Sequence, residues 1–234
     1  MDITIVYMPD AQIQDYHPLA EALTETGLVI DLLFLNSSIS QIVLDSSHSV
    51  RIPEAQSGIN IRIIDWDDQT GSQYLGHYYA AVYSRAPSVL VIGSGFQPDS
   101  NTVISMLQIH NEGYDVVIAS RHHKLSKLNY PLNRWLLSKF YNKIASFLLQ
   151  THTTDATSGL KLYSKEALIK SLGNSRTKGL TFQLELIRRA QRQGARITEV
   201  PVDIDYQNSP YVVRSSDIVK TAIETFKLWW SVRS

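Results

Sequence analysis

The chain contains no cysteine among its 234 residues, which excludes disulfide bonds and every metal site built on thiolate ligands. It also lacks an apolar run of the roughly 20 residues that a membrane-spanning helix requires. Neither sign of charge dominates, since 22 basic residues balance 22 acidic ones, and this balance argues against a general nucleic-acid-binding protein. The first residues, MDITIVYMPD, carry no basic segment, so we expect no secretory signal peptide there.

What the chain does contain is a succession of short apolar runs, separated by segments with helical spacing. The runs that predict strands are Ile3–Tyr7, Val29–Leu35, Ile59–Ile64, Val89–Ile92, Val116–Ser120, Leu160–Tyr163 and Arg196–Val202. The segments that predict helices are His17–Glu25, Tyr74–Tyr83, Thr102–Asn111, Leu132–Leu149, Phe182–Gln193 and Asp217–Val232. This alternation predicts an α/β fold with a mostly parallel central sheet flanked by helices. Pro201 places the last strand near an edge of the sheet.

The C-terminal residues form a segment of their own. We predict one domain over residues 1–214 and an amphipathic helix within residues 215–234. The apolar stripe of that helix comprises Ile218, Ala222, Ile223, Phe226, Trp229 and Trp230. Tryptophan and flanking basic residues favour a membrane interface, which predicts a cytoplasmic protein held peripherally on the inner face of a membrane. The alternative, a helix docked on the domain or on a partner in a homo- or hetero-oligomer, stays open.

Ligands of parallel α/β sheets bind at the carboxyl ends of the strands, so the residues that follow each strand are the first candidates for chemistry. The strand Val89–Ile92 ends in the uncharged sequence Gly93-Ser94-Gly95. The strand Ile59–Ile64 instead runs into Asp65-Trp66-Asp67-Asp68, and alternate residues leaving a strand face the same side. Asp65 and Asp67 are therefore candidate metal ligands, and a solvated acidic turn is the other interpretation.

A basic cluster follows the strand Val116–Ser120. It comprises Arg121, His122, His123, Lys124 and Lys127. Arginine supplies two parallel donors that match a phosphate, so the cluster predicts a phosphate- or diphosphate-binding site, with a solvated loop as the alternative. Adjacent histidines rarely converge on one ion, so we expect no metal site at His122 and His123. Further along, the sequence DATSG from Asp155 is, taken alone, typical of a loop or helix cap.

Four motifs in the second half occur in a fixed order. They are EGYDVVIASRH (112–122), NRWLLSKFYNKIA (133–145), DATSGLKLYSKEAL (155–168) and GLTFQLELIRRAQRQGARITEVPVDI (179–204). In combination, over about residues 89–220, they resemble family 2 glycosyltransferases of the dolichol-phosphate mannose synthase and polyprenyl-phosphate glycosyltransferase type. The resemblance implies a Rossmann-like glycosyltransferase A fold, a nucleotide-sugar donor and a polyprenyl (dolichyl-type) phosphate acceptor.

The resemblance also implies roles for individual positions. It assigns a catalytic role to Asp155 and Gln183, and acceptor-phosphate binding to Ser120, Arg121, Arg134 and Arg214. The implied donor-binding residues are Pro9, Asp10, Asn36, Gly71, Ser94 and Gln97. A Mg²⁺ or Mn²⁺ ion bound by carboxylates is expected in the family, where it stabilises the departing diphosphate.

The donor positions depart from the family pattern. Where the family has D-A-D-L-Q, this chain has Gly93-Ser94-Gly95-Phe96-Gln97, so both metal-binding carboxylates are missing. The acids of the family's V-D-D loop are likewise absent around Asn36. Two functions follow from this pattern. One is sugar transfer from a nucleotide sugar to a polyprenyl phosphate with impaired activity, and the other is an inactive pseudo-glycosyltransferase that binds lipid phosphate or a protein partner.

Overall fold

A computed structural model describes residues 1–8, 16–36, 58–65, 73–93, 96, 98–129, 132–173, 175, 179–205 and 215–231. The strands are β1 (Ile3–Tyr7), β2 (Ile30–Asn36), β3 (Ile59–Asp65), β4 (Ser88–Ile92), β5 (Val116–Ser120), β6 (Lys127–Asn129), β7 (Leu160–Ser164), β8 (Ile197–Pro201) and β9 (Asp203–Asp205). The helices are α1 (His17–Glu25), α2 (Gln73–Tyr83), α3 (Ser100–Asn111), α4 (Leu132–Leu149), α5 (Lys165–Leu172), α6 (Gly179–Arg192) and α7 (Ser215–Ser231).

Seven strands form the central sheet, in the order β3-β2-β1-β4-β7-β5-β8. Every neighbouring pair is parallel except those made by β7, which runs antiparallel to both β4 and β5. The short strands β6 and β9 pair with each other beside the main sheet. The predicted α/β class and mostly parallel sheet are confirmed, and β8 lies at the edge that Pro201 predicted.

Both faces of the sheet are buried. On one face, Val6, Leu33 and Val91 pack in a cluster with apolar residues of α2, α4, α5, α6 and α7. On the other face, Ile5 and Leu90 pack in a second cluster with residues of α1 and α3. Burial on both sides explains why the strands are continuously apolar rather than alternating, as is typical of parallel sheets.

Three short elements were not predicted from the sequence: α5, β6 and β9. Helix α5 follows β7 without a loop, because the Ser164 hydroxyl accepts a hydrogen bond from the backbone N–H of Ala167 (3.2 Å) and starts the helix. An N-cap serine with Glu166 in the first turn was the local signal for this helix. Strands of three residues carry too few side chains for a period of two to be recognised.

Helix α7 begins at Ser215, where the sequence placed the boundary of a separate C-terminal segment. Its inner face packs on the domain: Leu228 is buried, and the Tyr141 hydroxyl of α4 lies 2.8 Å from the Thr225 hydroxyl. Its outer face leaves Phe226 and Trp230 exposed. In the described ranges, no helix has both the length and the apolar character needed to cross a bilayer.

Candidate active site

The carboxyl ends of β1 to β4 form the side of the sheet on which donor binding was predicted. Asn36 and Asp65 are the last residues of β2 and β3, and the strand register pairs them. Their side chains lie outside the described part of the structure. The other predicted donor or metal residues on this side also lie outside the described residues, namely Pro9, Asp10, Asp67, Gly71, Ser94 and Gln97.

At the end of β4 the backbone itself fills the space. Gly93 donates its N–H to the carbonyl oxygen of Gly159 (2.8 Å), and a Cβ atom on Gly93 would lie 3.3 Å from that same oxygen. A side chain here therefore requires the main chain of Gly159 to move. Gly93 itself supplies none of the carboxylate oxygens that a metal site needs, and the described residues hold no group of three potential metal ligands.

The acceptor side, at the carboxyl end of β5, is organised by one buried ion pair. Arg121 Nε donates to Asp155 Oδ2 (2.7 Å), and Arg121 Nη2 donates to Asp155 Oδ1 (2.8 Å). The backbone N–H of Arg121 also donates to Asp155 Oδ2 (3.0 Å). The carboxylate is completely buried, while the Arg121 side chain is 21% exposed at the surface of the site. Asp155 is thus fixed in orientation by both the side chain and the main chain of Arg121.

This arrangement controls the charge of Asp155. Burial alone would raise the pKa of the Asp155 carboxyl, but the Arg121 charge and its hydrogen bonds outweigh burial and lower that pKa. Asp155 is therefore ionised at neutral pH and already saturated with donors. A carboxylate in this state is poorly suited to accept a proton, and well suited to hold a cationic side chain in place.

A polar chain connects this pair to helix α4. Thr157 Oγ1 lies 3.2 Å from Asp155 Oδ1 and 3.2 Å from Asn142 Oδ1. Asn142 Nδ2 donates to Ser138 O (3.1 Å) and to His122 Nε2 (3.4 Å), so this ring nitrogen of His122 acts as an acceptor. Ser138 and Asn142 are the S and N of the R-x-x-x-S-x-x-x-N helix, and their contacts explain that spacing.

A basic cleft of about 490 Å³ opens beside this network. It is lined by Arg121, His122, His123, Lys124, Ser126, Leu128, Trp135 and Lys139. Lys139 lies over the Trp135 ring, 4.3 Å from its centroid. Burial lowers the pKa of His122, and the nearby Arg121 and Lys139 charges act in the same direction against the opposing effect of Asp155. His122 is therefore predominantly neutral at pH 7, and the positive charge of the cleft comes from its arginine and lysines.

Ser120, predicted to bind the acceptor phosphate, is buried beneath this cleft. Its hydroxyl lies 2.8 Å from the Thr154 hydroxyl and accepts the N–H of His122 (3.2 Å). Glu199, at β8, accepts the backbone N–H groups of Thr154 (2.8 Å) and Asp155 (2.9 Å). Glu199 was not among the predicted site residues, although it is the glutamate of the E-V-P motif and its role in holding the Asp155 loop explains that residue type.

Gln183, predicted to be catalytic, lies within the protein beneath the sheet. Lys161, on β7, donates to Gln183 Oε1 (2.8 Å), and Gln183 Nε2 donates to Gln73 Oε1 (3.0 Å). Lys161 also donates to the Ser158 carbonyl, close behind Asp155. Gln183 does not line the basic cleft, and its contacts make it a support for Lys161.

Lys161 and His77 are both completely enclosed in this polar chain. Burial lowers the pKa of Lys161 to about 7, with Asp155 opposing the shift and Arg121 adding to it. Burial also lowers the pKa of His77 to about 4. Neither residue was predicted from the sequence to take part in the site. The lysine stands at the R/K position of the family's D-x-T-S-G-F-R/K-x-Y pattern, which was the available signal.

Two predicted acceptor residues remain without a described side chain. The backbone of Arg134 lies in the first turn of α4, two positions after the helix begins, whereas Arg214 lies outside the described residues. The structure thus brings Ser120, Arg121 and Asp155 together, while Gln183 contacts Lys161 and does not line the cleft.

No family model matches the chain. The chain is 35% identical over 99 residues to the polyprenol monophosphomannose synthase of Mycolicibacterium smegmatis, which covers 42% of this chain and 37% of that protein. It is 26% identical over 125 residues to the glycosyltransferase AglD of Haloferax volcanii, which covers 53% of this chain and 20% of that protein. The matches thus span well under half the length of these curated relatives. They confirm the resemblance to polyprenyl-phosphate glycosyltransferases.

Solved structures establish the fold over almost the whole chain. The glucosyl-3-phosphoglycerate synthase of Mycobacterium tuberculosis with UDP has a TM-score of 0.56 at 14% identity, covering 98% of this chain and 79% of that one. The mannosyl-3-phosphoglycerate synthase of Rubrobacter xylanophilus has a TM-score of 0.53 at 13% identity, covering 97% and 72%. The predicted glycosyltransferase A fold is confirmed. The Mycobacterium tuberculosis synthase is also known with Mn²⁺ and UDP-glucose, so metal is bound by a protein of this fold.

Proposed function

We propose that this protein binds a polyprenyl phosphate in the basic cleft and transfers to it a sugar from a nucleotide sugar. The observation that carries the proposal is the Arg121–Asp155 pair, which holds a guanidinium at the edge of a cleft lined by Lys124 and Lys139. Several fixed positive charges in one concave site match the charge of a phosphate. The polyprenol monophosphomannose synthase that the chain resembles supports this acceptor class.

The proposed reaction places few demands on a catalytic base. An oxygen of the lipid phosphate attacks the anomeric carbon, the bond from that carbon to the nucleoside diphosphate breaks, and the diphosphate leaves with the bonding electrons. Because the attacking phosphate is already an anion, no proton needs to be removed. The buried, Arg121-bound state of Asp155 suits a positioning role in this reaction.

Departure of the diphosphate is the step that this site supports least. Charge develops on the diphosphate, and the sequence Gly93-Ser94-Gly95 at the end of β4 supplies no carboxylate to hold a metal that would stabilise it. Loss of one preorganised charge-stabilising group typically costs about 3 kcal/mol of barrier, or more than a hundredfold in rate. We therefore propose that transfer is slow, with cationic side chains supporting the departing diphosphate.

A second candidate function is lipid-phosphate binding without transfer, in service of a catalytic partner. The sequence Gly93-Ser94-Gly95 favours it, because this strand end supplies no carboxylate for a metal while the Arg121–Asp155 pair of the acceptor side is intact. The acceptor side then retains its function while the donor side does not. This candidate predicts acceptor binding with no product.

We also propose that the cleft faces a membrane surface. Helix α4 exposes Leu137, Phe140, Ile144 and Phe147 at helical spacing, and α7 exposes Ile223, Phe226 and Trp230. The two helices are joined by the Tyr141–Thr225 contact, so the stripes belong to adjacent elements. Peripheral attachment through these stripes would place the cleft, which α4 also lines, beside the lipid phosphate.

The test uses purified protein with a polyprenyl phosphate in detergent and a panel of UDP- and GDP-sugars. Lipid-linked sugar is measured by mass spectrometry, and acceptor binding is measured separately by native mass spectrometry. The informative variant is Lys139→Gln in the cleft, and the matched control is Lys143→Gln, which lies one turn later on α4 and does not line the cleft. Transfer is supported if the wild type forms lipid-linked sugar and Lys139→Gln binds the acceptor more weakly than the wild type does.

The outcomes separate the two functions. Acceptor binding that depends on Lys139, with no product from any donor, favours the binding protein. If wild type, Lys139→Gln and Lys143→Gln bind the acceptor equally, the cleft is not the acceptor site under either of the two proposed functions.

A further inference from the structure

A second basic pocket lies at the opposite end of α4 from the cleft. On α4 the cleft is lined by Trp135 and Lys139, while this pocket is lined from Ser146 onward, and the seven residues from Lys139 to Ser146 span about 10 Å of helix. The pocket has two adjoining parts that share Gln150, His152 and Arg188. Thr151 lines the first part, and Gln191 and Arg192 line the second; together we call them the α4–α6 pocket.

The loop that forms the pocket is held in one shape. Gln150 adopts a left-handed backbone conformation with a φ of 54°, which is uncommon for a residue other than glycine. Gln191 on α6 fixes the loop from both sides: its Nε2 donates to Gln150 O (3.2 Å), and its Oε1 accepts the N–H of His152 (3.1 Å). Thr151 donates its N–H to Ser146 O (3.0 Å). The pocket walls are therefore preformed rather than assembled by a ligand.

Two buried donors in this pocket have no partner among the described residues. Arg188 donates through Nη1 to the Leu149 carbonyl, but its Nε is enclosed and makes no hydrogen bond. The Thr151 hydroxyl is also enclosed and makes none, although Thr151 is only 5% exposed. Unsatisfied buried polar groups typically cost about 1–3 kcal/mol each. The Arg188 guanidinium is thus only partly satisfied within the described residues.

The charge of the pocket is also unbalanced. Arg188 and Arg192 lie one turn apart on α6, and no ion pair to either is found in the described part of the chain. Arg189, between them, pairs with Glu185 instead. Burial lowers the pKa of Arg188, and repulsion from Arg192 adds to this effect. Like charges at this spacing destabilise a helix unless an anion lies between them.

We propose that the α4–α6 pocket binds a phosphate-type anion between Arg188 and Arg192, whose side chains both line its second part. Arginine is the residue best suited to this class of ligand, because its planar donors match phosphate oxygens. The anion has two sources, a free phosphate or the phosphate headgroup of a lipid. Phe147, which is 83% exposed, and Trp229 also line the pocket, so it borders the apolar stripes of α4 and α7. The proposal does not depend on sugar transfer.

The first arm of the test uses inorganic phosphate alone with the full chain. Phosphate replaces chloride at constant ionic strength, and the Nε–Hε resonances of the arginines are followed by NMR. We expect the Arg188 signal to shift and saturate. Arg192→Gln removes one charged donor, while Thr151→Val removes the enclosed hydroxyl and keeps the shape of the side chain. We expect a loss of phosphate affinity of about tenfold for the first and no loss for the second.

The control is Arg85→Gln, which removes the same charge from an exposed position in the loop between α2 and β4. We expect it to bind phosphate like the wild type. Comparable thermal unfolding of all four proteins establishes that the pocket variants are folded. The proposal is wrong if the Arg188 resonance does not shift when phosphate is added. It is also wrong if Arg192→Gln and Arg85→Gln bind phosphate equally in this arm and vesicles equally in the next.

The second arm separates the two sources. Binding to vesicles of phosphatidylcholine, with and without phosphatidic acid, is measured by flotation for the same variants. If Arg192→Gln loses the contribution of phosphatidic acid and Arg85→Gln retains it, the anion is a lipid headgroup. If vesicle binding is unchanged while the phosphate titration weakens, the ligand is a free anion. A protein that forms no lipid-linked sugar still gives a clear result in both arms.

Discussion

The two sides of the sheet edge differ in how their residues are satisfied. On the acceptor side, Asp155 is completely buried and receives three hydrogen bonds from Arg121 alone. On the donor side, β4 ends in Gly93, whose main chain packs directly on Gly159. The acceptor motif is thus part of what holds the domain together, whereas Gly93, at the start of the donor motif, supplies only a main-chain contact. A motif with a structural role of this kind persists whether or not catalysis does.

The sharpest way to test that difference is to remove the Asp155 charge. In Asp155→Asn, the Arg121 guanidinium and the main chain around it lose their acceptor within a buried site. We expect the free energy of unfolding to fall by about 3 kcal/mol at pH 7, as for other buried pairs that lose one partner. Urea denaturation measures this loss. Glu166→Gln is the control, since its pair with Lys170 is solvent-exposed, and we expect little change there.

The sign of the pH dependence gives a second readout for the same variant. The folded-state pKa of Asp155 lies below its unfolded value, so its contribution is complete above about pH 4 and is lost as the pH falls further. The difference between wild type and Asp155→Asn is expected to shrink below that pH. A variant as stable as wild type at pH 7 would show that the acceptor motif has no structural role.

Lys161 gives the next largest effect, because it joins the acceptor side to the interior. Its pKa is about 7 in the folded protein against 10.5 for an ordinary lysine, so the unfolded chain binds more protons between these values. Stability is therefore expected to rise with pH from 7 towards 10, by up to about 1.4 kcal/mol per unit, relative to Lys161→Met. Parallel stability curves for the two proteins between pH 7 and 10 would contradict a neutral buried lysine.

The acceptor side was also the part best predicted from sequence. The order of apolar runs gave the sheet and most helices to within two or three residues, because both sheet faces are buried and the strands are continuously apolar. The antiparallel direction of β7 was not predicted, since an apolar run carries no information about strand direction. Arg121 and Asp155 were both predicted, and the structure pairs them.

Other residues escaped prediction for a physical reason. Gln183 on α6 contacts both His77 on α2 and Lys161 on β7. These three elements are distant in the chain. Buried polar networks of this kind have no local pattern, since each member is satisfied by a partner that only the fold brings near. The α4–α6 pocket escaped prediction for the same reason. In the sequence its arginines resemble those of an ordinary solvent-exposed helix face, and only the fold shows the Leu149 carbonyl and Thr151 beside them.

On the donor side, Gly93→Ala tests whether backbone contact closes the β4 end. The new methyl group would lie 3.3 Å from the Gly159 carbonyl oxygen, so the main chain just before β7 must shift by a few tenths of an ångström to make room. We expect a loss of about 1 kcal/mol in the free energy of unfolding, at the low end of the cost of overpacking. Chemical denaturation measures it, with Gly194→Ala as a contrast: that glycine has open space but a φ of 82°, so its cost arises from backbone conformation instead. A stabilised Gly93→Ala would show that the strand end has room for a side chain.

The smallest expected effect is that of metal removal. It bears most directly on the difference between the acceptor side and the donor side. Since the β4 end supplies no carboxylate ligand, we expect any thermal shift caused by UDP, GDP or their sugars to be the same in Mn²⁺ and in EDTA. A nucleotide at about 100 times its dissociation constant stabilises a protein by roughly 2.7 kcal/mol, so the shift is measurable and its change on adding EDTA is resolvable. A shift that disappears in EDTA would mean that the donor side holds a metal through other residues. Asp65→Asn and Asp67→Asn would then show whether the ligands come from the end of β3, since loss of the Mn²⁺-dependent shift in these variants alone would relocate the donor site from the end of β4 to that of β3, three strands away.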